Sequence, residues 1–246
     1  MDKMLYTATN GARQAMQAQT AIAHNLANAN TLGFKSQLNT FTSWHVSGPG
    51  LNTRVMNQQN ADDIDMSAGS IITTGQELDV AINGDGFIAV QNEEGEEAYT
   101  RAGNLKIDSV GRLTTGTGFA VMGNGGPIAL PQSEKIDIGA DGSISVVPVG
   151  QAASALVITD RIKLVNPDVK NLQKNADGLL QLKGGAVAPA VADVHLETGV
   201  LENSNVNAVG QMIDLITNAR QFETNIKLMT EAKTLDESSA RLLRNQ

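Results

Sequence analysis

The sequence predicts an α+β fold, with long N- and C-terminal α-helices that form a coiled-coil stem and a central antiparallel β-rich domain. Three observations support this prediction. Apolar residues at both ends recur at alternating spacings of three and four, whereas apolar and polar residues alternate in the middle of the chain. In addition, the 24 glycines and the frequent Asn and Asp residues favour tight turns between short strands.

The N-terminal helix is predicted from a narrow apolar stripe with one polar member. The stripe consists of Leu5, Ala8, Ala12, Ala15, Gln19, Ile22 and Leu26. Since most of these side chains are small, the isolated helix would be marginal in water and needs a partner. We expect the helical pattern to stop near Gly33, because glycine readily adopts the left-handed conformation that ends helices.

The C-terminal helix carries a similar but longer stripe. Its members are Met212, Leu215, Ala219, Phe222, Ile226 and Met229, continued with a shift by Ala232, Leu235, Ser239 and Leu242. Asn205 or Asn207 is the expected N-cap, and a helix from there to Arg244 would be about 55 Å long. The N-terminal helix is too short to cover this length, so we expect the uncovered part of the C-terminal helix to pack against neighbouring subunits.

The middle of the chain is predicted to form strands, because apolar and polar residues alternate at 78–82, 105–108, 136–138 and 144–146. Turn residues at 84–86, Gly111 and 141–142 are expected to form hairpins. The predicted organisation is a helix and signature at 1–36, an extended linker at 37–69, a β-rich domain at 70–200 and a long helix at 201–246.

Charge and cysteine content exclude several classes of function. The net charge of −8 lies mainly in the middle of the chain, which disfavours nucleic acid and anionic membranes as partners. The absence of cysteine excludes disulfides and thiolate sites. The start of the sequence has no apolar signal-peptide core, and no segment approaches the roughly 20 apolar residues of a membrane-spanning helix.

No catalytic, metal or cofactor site is predicted. His24, His45 and His195 are isolated from one another and from carboxylates at ligand spacing. The Gly- and Asp-rich segments at 83–86 and 137–142 could be mistaken for calcium loops, but they lack the downstream acidic ligand and are better explained as turns. We therefore expect no enzymatic activity.

Four motifs then point to a family. They are NLANANTLGFK at residues 25–35, LDVAINGDGF at 78–87, YTRAGNL at 99–105, and GVLENSNV at 199–206 with RQFE at 220–223. In this order they resemble the motifs of the flagellar rod and hook protein family. Within the family the sequence is most similar to the proximal rod type, and the distal rod and hook types are the alternatives.

The resemblance implies a structural subunit of the flagellar basal-body proximal rod. Such a subunit leaves the cytoplasm through the flagellar type III export apparatus without signal cleavage. It then assembles helically in the periplasm with copies of itself and with other proximal and distal rod proteins. Its terminal helices would form an inner coiled-coil tube and its β domain an outer layer, and the rod would transmit torque from motor to hook.

The expected assembly interface combines both helix stripes with the signature that follows the first helix. Its residues are Leu5, Ala8, Ala12, Ala15, Ile22, Asn25, Leu26, Asn28, Gly33, Phe34, Met212, Leu215, Ala219, Phe222, Ile226, Met229, Leu235 and Leu242. Two other classes compete with this interpretation: an extracellular β-rich binding protein and a carboxylate-based hydrolase. A binding protein would not predict matched terminal helices, and a hydrolase is disfavoured because the acidic residues mostly alternate along strands without forming a carboxylate pair. Both would be favoured if trimming either terminus caused no assembly defect.

Overall fold

The computed structural model describes residues 2–45, 55–150, 156–175 and 177–244, and the chain forms two compact units. Unit 1 contains Met1–Ala29, Gln37–Asp65 and Val206–Gln246, and unit 2 contains Asn30–Ser36 and Met66–Asn205. Unit 1 is built on two long helices and unit 2 on β-strands. The α+β class and the order helix, β-rich region, helix are thus confirmed.

The two helices are α1, Asp2–Ala27, and α2, Ala208–Arg244. Asn207 caps α2, since its side-chain oxygen accepts a hydrogen bond of 3.1 Å from the backbone N–H of Gly210. The 37 residues of α2 span about 55 Å, as predicted. The expectation that Gly33 stops the first helix was wrong. Gly33 has the left-handed φ of 67°, but α1 ends at Ala27 and a series of turns separates the two.

Unit 1 also contains two long antiparallel strands, β1 (Gln37–His45) and β2 (Val55–Ile64). Gln37 lies opposite Ile64 and His45 opposite Val55 in this pair. The segment predicted as an extended linker therefore contributes a two-stranded sheet. Helix α1 contacts both strands as well as α2, so that it lies at the centre of the unit.

Unit 2 contains the remaining strands. They are β3 Ile71–Thr73, β4 Val80–Asn83, β5 Phe87–Gln91, β6 Glu97–Thr100, β7 Leu105–Ile107, β8 Leu113–Thr115, β9 Ala120–Val121, β10 Ser133–Ile138, β11 Ser143–Pro148, β12 Val157–Arg161, β13 Leu164–Val165, β14 Leu172–Lys174, β15 Leu180–Leu182, β16 His195–Thr198 and β17 Val200–Glu202. A 3₁₀ turn, Val169–Asn171, precedes β14.

The largest sheet of unit 2 runs in the order β14-β15-β6-β5-β9-β8-β7, and β13 pairs with β5 beside this path. A second sheet has the order β10-β11-β12, while β16 pairs with β4 and β17 with β3. All of these pairings are antiparallel. Pairs β3–β17 and β4–β16 join strands from the two ends of the unit, so residues near 200 are held beside residues near 75.

The core of unit 2 is formed by apolar side chains from the large sheet, from β10 and β11, and from the pair β4 and β16. Ile144 and Val146 on β11 are buried on either side of the half-buried Ser145, as predicted for a half-buried strand, but Val147 is buried as well. Strand β4 differs from the prediction, because Val80, Ala81 and Ile82 are all buried. Both faces of β4 are covered, so the alternation in the sequence does not mark a solvent-facing side.

Two of the three predicted hairpin turns are confirmed: Gly111 lies between paired strands β7 and β8, and residues 141–142 lie between β10 and β11. The prediction of a hairpin at 84–86 was wrong. This turn joins β4 to β5, but β4 pairs with β16 whereas β5 pairs with β6. Turn chemistry fixes the reversal of the chain locally, whereas the choice of strand partner depends on distant residues.

Neither helix is long and apolar enough to cross a membrane.

Candidate assembly interface

Helices α1 and α2 pack against each other in antiparallel directions. Asn218 Nδ2 donates to the carbonyl of Ala15 at 2.7 Å, and Thr9 Oγ1 lies 3.3 Å from Met229 Sδ. The contact between small α1 residues and larger α2 residues permits close approach. Gly11 is one such residue, since a Cβ on it would lie 3.0 Å from the Asn225 side chain.

Most α1 residues of the expected interface are buried by packing inside unit 1. Ala8, Ala12, Ala15 and Ile22 are buried, and Leu26 is half-buried. Leu5 is 36% exposed, which makes it the least buried of the α1 helix residues in the expected interface. Gln19 points outward and Ala18 is buried instead, because an α-helix of 3.6 residues per turn drifts from a strict 3.5-residue repeat.

The inner face of α2 repeats with spacings of four and three. Its half-buried or buried members are Gln211, Leu215, Asn218, Phe222, Asn225, Met229 and Ala232. Leu215, Phe222 and Met229 were predicted for this stripe, and the predicted Ala219 is half-buried beside it. Met212, Ile226 and Leu235 were also predicted, but they are 52%, 39% and 53% exposed. The side chain of Leu242 lies outside the described residues.

The exposed residues of α2 include a second apolar stripe. Val209, Met212, Ile213 and Ile216 follow the spacing of one helix face and are 68%, 52%, 59% and 54% exposed. We name these four residues the outer stripe. Of these four residues only Met212 was predicted, although the spacing i, i+3, i+4, i+7 identifies all four in the sequence. Clustered exposed apolar side chains on a helix are typical of a surface that packs against another protein.

Two asparagines of the signature stabilise the end of α1. The buried Asn25 side chain pairs with the backbone of Gln37: its amide donates to the Gln37 carbonyl at 2.9 Å, and its oxygen accepts from the Gln37 N–H at 2.9 Å. Asn28 Nδ2 donates to the His24 carbonyl at 2.9 Å, a carbonyl in the last turn of the helix. Asn25 therefore fastens the start of β1 to α1.

The four sequence motifs meet in unit 2 at three buried charges, Lys35, Arg101 and Glu202, which we name the Glu202 cluster. Lys35 Nζ lies 2.7 Å from Glu202 Oε1, and Arg101 Nη1 lies 3.1 Å from Glu202 Oε2. The three side chains are only 2–3% exposed. The three residues belong to motifs that are evident in the sequence, but the meeting of their charges was not predicted.

Backbone groups complete the hydrogen bonding of the Glu202 cluster. Arg101 Nε and Nη2 donate to the carbonyls of Gly86 and Gly84 at 3.0 and 2.7 Å, and Lys35 Nζ donates to the carbonyl of Ser67 at 2.7 Å. The Gly69 N–H donates to Glu202 Oε1 at 2.9 Å. The carbonyls of the 84–86 turn therefore bind a guanidinium group, which agrees with its interpretation as a turn.

Glu202 is held as a carboxylate. Burial favours its protonated form, but the hydrogen bonds from Lys35 and Gly69 and the charges of Lys35 and Arg101 outweigh burial and lower the pKa of Glu202. Two cations face one anion, and the carbonyls around them offset the remaining positive charge. Such an arrangement is suited to fixing geometry, since it satisfies every buried charge only when all the segments are in place.

Gly33 and Phe34 lie beside the Glu202 cluster, in unit 2. The Gly33 N–H donates to the backbone carbonyl of Glu202 at 2.8 Å. Phe34 is buried, and the ammonium group of Lys174 lies 3.3 Å from the centre of its ring and donates to the Lys35 carbonyl at 2.8 Å. Both contacts of Lys174 favour the ammonium form. Burial opposes them and lowers the pKa of Lys174 to about 7.

Lys174→Met is expected to change how stability depends on pH. Between about 7 and the ordinary value of 10.5, the unfolded chain binds a proton at Lys174 that the folded chain does not. As the pH is raised from 6 to 9, the free energy of unfolding of the wild type should therefore increase relative to that of the variant. Urea unfolding of both proteins at the two pH values measures this difference. An unchanged difference would mean that Lys174 stays charged on Phe34.

Among the described residues, no group of three or more His, Cys, Asp or Glu side chains is arranged to hold a metal ion.

Comparison with known families agrees with this arrangement. Residues 5–35 match the family model described as flagella basal body rod protein, and residues 81–146 match the flagellar hook protein FlgE/F/G D1 domain. Residues 197–242 match the flagellar basal body rod FlgEFG protein C-terminal model. The matched segments correspond to α1 with its signature, to part of unit 2, and to the last strands with α2.

The chain belongs to the family of flagellar basal-body rod proteins. Individual relatives refine this assignment. The chain is 39% identical to the flagellar basal-body rod protein FlgF of Salmonella typhimurium, over 98% of its own length and 97% of the relative's. FlgF of Escherichia coli matches to the same extent, and the flagellar basal-body rod protein FlgG of Bacillus subtilis is 31% identical over 94% of this chain and 95% of its own.

The predictions of an FlgF-type protein and of a structural basal-body rod subunit are thereby confirmed. These relatives are structural proteins of the basal body, which places this chain in the flagellar basal body. The matches offer no support for an adhesin-like binding protein or a hydrolase.

Proposed function

We propose that this chain is a subunit of the proximal part of the rod and that it assembles helically through its terminal helices. In this proposal the two terminal helices, α1 and α2, form a coiled-coil stem that packs against copies of this chain and against other proximal and distal rod proteins. The 39% identity to FlgF of Salmonella typhimurium and of Escherichia coli, compared with 31% to FlgG of Bacillus subtilis, favours the proximal over the distal position.

The outer stripe is the observation that carries the proposal. The stripe residues of α1 are largely buried inside unit 1, so they have little surface left for a neighbour. The four residues of the outer stripe are each more than half exposed, and at about 25 cal/mol per Å² their burial against another subunit would be strongly favourable. Met212 is shared between this stripe and the interface expected from the sequence.

The remaining parts of the proposal follow from membership of the family. The subunit would pass through the flagellar type III export apparatus without cleavage of a signal peptide and would lie in the periplasm without inserting into a membrane. It would act as a mechanical element that transmits torque from motor to hook. It would need no cofactor and would catalyse no reaction.

A labelling experiment in the native host tests the proposal. Since the chain has no cysteine, Met212→Cys introduces a unique thiol on the outer stripe. We expect the chain to copurify with intact basal bodies. Maleimide should label Met212→Cys at least tenfold more slowly in basal bodies than in the purified protein, because the thiol would be buried between subunits.

Val187→Cys is the matched control, since Val187 is 61% exposed on a loop of unit 2 and should remain reactive in basal bodies. Absence of the chain from basal bodies would contradict the rod position. Equal labelling of Met212→Cys in both states would contradict the role of α2 in the interface.

A further inference from the structure

The Glu202 cluster joins chain segments that are far apart in sequence. Glu202 is 167 residues from Lys35 and 101 residues from Arg101. Lys35 belongs to the segment that follows α1, and Glu202 belongs to the segment that precedes α2. Arg101 comes from the middle of unit 2 and also binds the turn that follows β4. The cluster therefore forms only when three separate parts of the chain are in place.

Backbone contacts join the same two segments beside the charges. Gly33 N–H donates to the Glu202 carbonyl at 2.8 Å, and Asn205 N–H donates to the Phe34 carbonyl at 3.3 Å. The Asn205 side chain accepts from the Ser36 N–H at 2.8 Å and donates to the Ser67 carbonyl at 3.1 Å. The segments 33–36 and 202–205 thus lie side by side within unit 2.

Buried ion pairs contribute little net stability compared with apolar residues of similar size, because desolvation offsets their attraction. Their loss is nevertheless costly when one partner remains, since a buried charge is then left uncompensated. A network of this kind therefore discriminates between one arrangement of its segments and all others. In unit 2 the arrangement that the network favours is the one that places segments 33–36 and 202–205 side by side.

We propose that Glu202 is a positioning residue that locks segments 33–36 and 202–205 together within unit 2, so that both helix-proximal segments have one fixed geometry. The lock stabilises a local joint and is not required for the β-sheet core. Its purpose rests on the proposed function, because a subunit that assembles through both terminal helices needs their connections to be fixed. The lock itself is a property of the single chain and can be measured without a rod.

Hydrogen exchange in the purified full-length protein tests the proposal. Glu202→Gln keeps the size of the side chain but removes the charge that faces Lys35 and Arg101. We expect the amides of Gly33, Ser36 and Asn205 to exchange at least about tenfold faster than in the wild type. The amides of β5, at the centre of the large sheet, should change by less than about twofold.

The matched control is Glu97→Gln. Glu97 pairs with Lys163 at 2.8 Å, with side chains 8% and 14% exposed, and neither residue belongs to segment 33–36 or 202–205. Its loss should leave exchange at Gly33, Ser36 and Asn205 unchanged. Unchanged exchange at these three amides in Glu202→Gln would overturn the proposal. So would an equal acceleration throughout unit 2, which would indicate a general contribution to stability.

Lys35→Met provides a second variant, because it leaves the ion pair between Arg101 and Glu202 intact. It should accelerate exchange at Gly33 and Ser36 while β5 stays protected. If Glu202→Gln does not fold, this variant decides: the same local acceleration supports the lock, and its absence overturns it. All of these outcomes are independent of rod assembly, so a failed lock would leave the proposed function intact and a failed rod assignment would leave the lock intact.

Discussion

Gly33→Ala is expected to destabilise unit 2 by about 2–5 kcal/mol, the largest effect of any single methyl group that we predict. Gly33 has a φ of 67°, which costs a residue with a side chain about 1–2 kcal/mol. In addition, a Cβ at this position would overlap the backbone of Arg101 and Ala102. Because these are backbone atoms, they cannot move aside without disturbing the Glu202 cluster, and such overpacking costs a further 1–3 kcal/mol or so.

Gly75→Ala separates the two contributions. Gly75 has nearly the same φ, 70°, but a Cβ added to it would meet nothing within 4 Å. Its substitution should cost only the conformational part, about 1–2 kcal/mol. Urea unfolding followed by circular dichroism measures both variants. Equal losses of stability in Gly33→Ala and Gly75→Ala would show that the backbone near Arg101 moves aside at little cost. The close approach of Gly33 to that backbone would then contribute little.

Features that depend on neighbouring residues could be predicted from the sequence. The cap of α2 is an example, because Asn207 bonds a backbone group only three residues away. The turns at Gly111 and 141–142 are others, since the glycine conformation and the short span between strands act locally. For the same reason both terminal helices were predicted, and the four predicted strand segments coincide with β4, β7, β10 and β11, whereas the long pair β1 and β2 was missed.

The face that α2 presents to α1 could not be predicted reliably, because apolar residues surround much of the first half of this helix. A spacing of three and four fits the stripe through Met212 and Ile226 as well as the stripe through Gln211 and Asn225. The second of these carries polar residues, yet it packs on α1. Small residues on α1, with Gly11 opposite Asn225, admit the amide side chains and decide the choice. Periodicity alone contains no information about the partner surface.

The Glu202 cluster was missed for a different reason. Each of its charges stands alone in its own motif, and a lone Lys, Arg or Glu is usually solvated. Only pairing of β17 with β3 and of β16 with β4 brings the end of unit 2 beside its beginning. Charges separated by 101 and 167 residues cannot be matched from local patterns. The motifs can be recognised in the sequence, but only the fold brings their three charges together.

The combination Ile213→Asp with Ile216→Asp is expected to abolish swimming while leaving the free protein folded. Both side chains are more than half exposed on α2, at 59% and 54%, so their replacement should change the stability of the purified chain by only about 0.5–1 kcal/mol. Between subunits the same positions would be desolvated. Two unpaired carboxylates in an apolar interface are strongly unfavourable, so assembly should fail.

Swimming in soft agar and the number of complete basal bodies per cell measure this effect, with export of the variant and circular dichroism of the purified chain checked in parallel. Val110→Asp with Val187→Asp is the control, because these residues of unit 2 are 76% and 61% exposed and the same charge is added. The control should swim, and the α2 variant should show at least a tenfold loss of basal bodies. Normal swimming of the exported α2 variant would exclude the outer stripe from the interface and would transfer the assembly contacts to the more polar faces of the two helices.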